Sequence, residues 1–176
     1  MDNSDMHTGI RRAALAAAAL AGLAGCAQLA LPGVRPGESS VEVRQSAGAP
    51  SEERTLADGT KAWYYVAGPG GWTTWRVHFG ADDRVADVRQ VLSAQSFRES
   101  LITDRTSRDG VAQALGRPGL VMTFPNLGEE VWTYRWMDAT IPMKIDIHFK
   151  AGTGQLTSYN VYWDPCPDMS LMCMGT

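Results

Sequence analysis

The chain has 176 residues, 44% hydrophobic and 20% charged, with a formal net charge of −3. That is the composition of one soluble globular domain or two small ones, and six Trp, five Tyr and four Phe supply the aromatics a core needs. The negative charge argues against a nucleic-acid binder that neutralises phosphates, and no apolar run reaches the roughly 18 residues that span a bilayer.

Arg11 and Arg12 precede an apolar run, Ala13 to Ala24, that closes on Leu23-Ala24-Gly25-Cys26. A cationic start, a short apolar stretch and small residues at its end form a secretory signal rather than a membrane span. Met6 is an alternative start, because Asp2 and Asp5 are out of keeping with a cationic leader. The last four residues resemble the lipobox of bacterial lipoproteins. That resemblance implies cleavage before Cys26 and acylation of its thiol and new amine, with palmitate among the expected chains. Two or more chains matter, because one gives only marginal membrane residence. An ordinary cleaved signal with a chance Cys fits the same pattern. Ala27 stands where an Asp would suggest inner-membrane retention, so the resemblance implies an outer-membrane lipoprotein facing the periplasm.

Residues 1–25 are therefore expected to be a signal peptide and residues 26–36 a tether. Setting Cys26 aside leaves Cys166 and Cys173 in the tail, residues 164–176. In an oxidising compartment an even pair suggests a disulfide. Its loop of about eight residues would stabilise by at most roughly 2.5 kcal/mol. A metal site is the rival, although two thiols need further ligands and no His lies nearby in sequence.

The rest of the chain repeats itself. Val43 to Pro50 aligns with Val111 to Pro118, Gly59 to Tyr65 with Gly128 to Tyr134, and Val77-His78-Phe79 with Ile147-His148-Phe149. Three blocks in one order with a slowly drifting offset read as a tandem duplication, residues 37–92 and 93–163. Each copy opens on a helix capped by Ser39 or Ser107. Each helix is expected to end with Gly48 or Gly116 in the left-handed region, and Pro50 or Pro118 forbids its resumption.

After each helix the period switches to two. Met143, Ile145, Ile147 and Phe149 alternate with Lys144, Asp146 and His148; Trp75, Val77 and Phe79 alternate with Arg76 and His78. Such alternation marks half-buried antiparallel strands. Trp63/Tyr65 and Trp132/Tyr134/Trp136 belong to the strands before them, and residues 85–92 and 156–163 to those after. Between the copies, Phe97 and Leu101 mark another short helix capped by Ser93. The predicted fold class is α+β: two tandem units of short helix and three-stranded meander, with the helices on one face of a shared antiparallel sheet.

These motifs resemble the SmpA/OmlA lipoproteins, the family of the BamE subunit of the outer-membrane barrel-assembly machine. The family's Val, Leu-Gly-Xaa-Pro, Gly and Trp-Xaa-Tyr pattern stands here as Val43, Ala47-Gly48-Ala49-Pro50, Gly59 and Trp63-Tyr64-Tyr65. It stands again as Val111, Leu115-Gly116-Arg117-Pro118, Gly128 and Trp132-Thr133-Tyr134. Neither copy keeps the family's Gly-Met-Thr triplet, and barrel-assembly subunits usually carry one copy. Two copies are similar instead to the β-lactamase inhibitory protein fold.

Candidate chemistry is sparse. His78 and His148 hold equivalent places and would form a pseudo-symmetric pair with Asp146, or simply be the polar phase of two strands. No hydrolase elbow, phosphate loop or paired metal-ligand motif occurs, so no enzyme activity and no cofactor are expected. With Trp63/Tyr65 and Trp132/Tyr134 turned toward the helices, the opposite face would carry Tyr64, Arg76, His78, Arg135, Lys144, Asp146 and His148, with Tyr162 at its margin. Tyr and Arg are enriched at protein interfaces, although an uncovered face can also be merely solvated. The expectation is a non-enzymatic scaffold or protein-binding lipoprotein in envelope or barrel-protein assembly, anchored by lipid. The alternative is an inhibitor like the β-lactamase inhibitory protein.

Overall fold

The computed structural model describes residues 31, 33–68, 71–102 and 106–165, all within one compact unit that begins at Leu31. The expected signal peptide, residues 1–25, and Cys26, Cys166 and Cys173 lie outside the described residues. The fold is α+β, and among the described residues it has three α-helices and two antiparallel four-stranded sheets.

Helix α1, Ser40–Ala47, starts where Ser39 accepts a hydrogen bond from the Glu42 N–H while the Glu42 carboxylate reaches back to the Ser39 backbone. This reciprocal cap satisfies two donors that the first turn leaves open. The first sheet follows in chain order: β1 Glu52–Thr55, β2 Lys61–Ala67, β3 Thr73–Phe79 and β4 Val85–Gln90. Helix α2, Ala94–Ser100, is capped by Ser93, and helix α3, Arg108–Leu115, by Ser107. The second sheet comprises β5 Leu120–Phe124, β6 Glu129–Asp138, β7 Ile141–Lys150 and β8 Leu156–Trp163, again in chain order.

The two halves match in detail. Gly48 has φ 80° and ψ −167°, and Gly116 φ 77° and ψ −167°. This is not the left-handed helical cap expected from the sequence. It is an extended, positive-φ conformation that is essentially open to glycine alone. Tyr65 Oη donates to the Gly48 carbonyl at 3.2 Å, and Tyr134 Oη to the Gly116 carbonyl at 2.8 Å. Trp63 meets Phe79 edge-on at 4.7 Å, and Trp132 meets Phe149 edge-on at 5.0 Å. Register irregularities fall at His78/Phe79 and His148/Phe149.

The sheets nevertheless differ from the shared sheet expected above. They are separate, and each gains a strand the sequence pattern did not announce, β1 and β5. Nor do the helices occupy one face. Val43 of α1 packs with Trp63, Tyr65, Val77, Phe79 and Val85 on one side of the first sheet. Val111 and Leu115 of α3 and Phe97 of α2 pack with Tyr134, Trp136, Ile145, Ile147 and Phe149 on the inner side of the second. The opposite side of α3 meets the first sheet, at Tyr64 and Arg76. Helix α3 is therefore sandwiched between the sheets.

Candidate functional site

The seven residues expected on one open face divide into two groups. Tyr64 is 0% exposed. Its hydroxyl donates to the Gln113 carbonyl of α3 at 2.5 Å, and Arg76 Nη1 donates to the same oxygen at 3.3 Å. Gln113 is in the last turn of α3, where carbonyls lack helical partners and the helix end is negative. A hydroxyl and a cation converging there satisfy both conditions. Tyr64 and Arg76 are thus a joint between sheet and helix, not a docking surface. Burial pushes the Tyr64 hydroxyl pKa up to about 12 and pushes the Arg76 guanidinium down, Arg89's charge adding to the latter.

His78 also stays with the first sheet. Thr60 donates its one hydroxyl proton to Asp58, so the 2.9 Å contact between Thr60 Oγ1 and His78 Nε2 requires the ring to donate. His148 contacts Glu129 at 3.3 Å through Nδ1, on the other sheet. The two histidines share no hydrogen-bonding partner, so the expected pair does not assemble.

Arg135, Lys144, Asp146 and His148 do share a face, the outer side of the second sheet. Their cross-strand partners settle this: Arg135 lies opposite Lys144, Thr133 opposite Asp146, and Val131 opposite His148. On β8 the same rows continue to Tyr162, Asn160 and Ser158. Asp146 accepts from the Thr133 hydroxyl at 2.5 Å and, on its other oxygen, from the Tyr162 hydroxyl. Lys144 Nζ stands 4.8 Å over the Tyr162 ring. Arg135 Nε is 2.8 Å from Asp164, whose side chain is almost fully buried. Asp146 is occupied by two hydroxyl donors and Arg135 by a carboxylate, so each side chain is held in one orientation by its neighbours. This is a pre-organised polar surface rather than a set of groups converging on one reacting atom.

Sequence reasoning missed the apolar half of the same face. Leu120 pairs with Thr133, Met122 with Val131 and Phe124 with Glu129, so these three extend the outer face across β5. All three are exposed. Asp164 was missed as well, because it lies past the last strand and was read as tail. Among the described residues no group of three or more His, Cys, Asp or Glu could hold a metal ion.

No family model matches the chain and no curated protein is similar to it. Among solved structures it is similar to a Streptococcus mutans protein described as a "putative beta-lactamase inhibitor protein", with 17% identity and a TM-score of 0.30 over 72% of this chain and 83% of that one. It is also similar to a DUF4309 family protein of Bacillus subtilis, with 18% identity and a TM-score of 0.26 over 72% of this chain and 79% of that one.

Proposed function

We propose that the protein is a non-enzymatic lipoprotein of the outer membrane, held by lipid at Cys26 and facing the periplasm. It binds another protein through the outer face of its second sheet. One observation carries the binding reading: Lys144, Tyr162 and Asp146 hold one another, and Arg135 is held by Asp164, beside the exposed apolar row Leu120, Met122 and Phe124. An apolar patch beside ordered polar groups is the usual make-up of an interface. The compartment rests on the lipobox motif, and the SmpA/OmlA resemblance makes the barrel-assembly machinery the first candidate partner. The matched caps, tyrosine bonds and edge-on aromatic pairs support descent of the two halves from one duplicated unit.

Two experiments test this reading. Cys26→Ser should move the protein from the membrane to the soluble fraction; continued sedimentation with the outer membrane would contradict the anchor. Affinity capture from detergent-solubilised envelope should recover barrel-assembly subunits. Recovery of one soluble enzyme instead would favour the inhibitor alternative.

A further inference from the structure

The second sheet is incomplete along one side. β5 pairs with β6 only between Leu120↔Thr133 and Phe124↔Glu129, whereas β6 runs on to Asp138. Among the described residues, β6 therefore has no strand on its β5 side beyond Thr133. A groove of about 670 Å³ opens at this place, between the two sheets. Val66 of β2, Leu92, and Leu120 and Val121 of β5 give it apolar walls. Among the described residues two cations line it, Arg117 and Arg135, and no acidic residue does. Arg135 is neutralised by Asp164. Arg117 is exposed and makes no ion pair among the described residues; its backbone N–H alone is bonded, to Glu52. The slot is closed at one end by the chain itself, where the Gly119 N–H bonds to the Thr133 carbonyl.

A strand edge takes extended backbone, apolar walls take alternate side chains, and an unneutralised guanidinium takes a carboxylate. A slot blocked at its Arg117 end suits a chain that terminates there better than one that passes through. We propose that this groove binds the C-terminal segment of a partner polypeptide in extended form, laid beside β6 with its terminal carboxylate at Arg117. The groove shares Leu120 and Arg135 with the margin of the second sheet's outer face, whereas Arg117 belongs to the groove alone.

The test is fluorescence anisotropy on the folded protein, using an N-terminally fluorescein-labelled pentapeptide, Thr-Val-Thr-Val-Phe, as free acid and as C-terminal amide. The free acid should bind saturably and the amide about tenfold more weakly, as loss of a charge-assisted pair requires. Arg117→Ala should bring the free acid down to the amide's affinity, leave the amide unchanged and leave the thermal midpoint in place. Absence of binding, equal affinity of acid and amide, or an Arg117→Ala protein that still prefers the acid would each overturn the proposal.

Discussion

The two sheets are built alike locally and used differently. The first is covered on both sides, by α1 on one and by α3 at Tyr64 and Arg76 on the other. Its edges are charged: on β1 Glu52 pairs with Arg54 and Glu53 with Arg44 of α1, and on β4 Asp87 pairs with Arg89. Such charges discourage the addition of a further strand. The second sheet buries its inner side against α2 and α3, while Leu120, Met122 and Phe124 on its outer side stay exposed. Its edges are uncharged, with Leu120, Val121, Met122 and Phe124 exposed on β5 and Tyr159, Val161, Tyr162 and Trp163 on β8. Sheets with similar local geometry thus differ in what they expose, according to what packs on them.

The largest expected effects test the part the sheets share. Trp63→Ala and Phe149→Ala each remove a buried aromatic from a matched edge-on pair, and each should cost about 3 to 5 kcal/mol in urea unfolding. A loss confined to one of them would mean that only one half has a load-carrying core.

Gly48→Ala and Gly116→Ala separate the halves. Both glycines sit in the same positive-φ conformation, so each substitution should cost about 1 to 3 kcal/mol in backbone strain. A Cβ at Gly48 meets nothing within 4 Å, whereas one at Gly116 would lie 2.9 Å from Tyr64 Cδ1. Gly116→Ala should therefore exceed Gly48→Ala by about 1 to 3 kcal/mol from overpacking. Equal costs would argue against the sandwiched placement of α3.

The Tyr64 joint makes a smaller, pH-dependent contribution. Its hydroxyl pKa is raised from 10.0 to about 12, chiefly by burial. The unfolded chain releases this proton first as the pH rises. The stability is therefore complete below pH 10 and falls away between pH 10 and about 12. Tyr64→Phe should cost about 1 to 2 kcal/mol at neutral pH by removing a hydrogen bond to a helix-end carbonyl. It should also flatten the alkaline limb of the stability profile, and an unchanged limb would remove Tyr64 from its cause.

Much of this architecture was legible in the residues. The Ser caps and the Gly-Xaa-Pro stops located α1 and α3, and alternation placed Ile145, Ile147 and Phe149 inward. The alternation also put Tyr64 and Arg76 on the side away from the first sheet's aromatics. What it did not carry was the identity of the neighbour on that side, because α3 reaches Tyr64 from 49 positions along the chain. Two strands were hidden for opposite reasons. Glu52–Thr55 is dominated by charge and becomes a strand by pairing with β2, and Leu120–Phe124 shows no alternation because all its residues are exposed. Strand formation at an edge is decided by the partner more than by the segment's own preference.

The smallest effects on stability fall where the account expects the largest effect on function. Paired capture experiments test whether the second sheet's outer face is the working surface. Wild type, Met122→Asp and a Glu53→Ala control on the charged edge of the first sheet would each be used as bait on detergent-solubilised envelope. Both substitutions are at exposed positions, so the unfolding free energy should change by no more than about 0.5 kcal/mol. The partner recovered with wild type and Glu53→Ala should be lost with Met122→Asp. Equal recovery with all three proteins would contradict it.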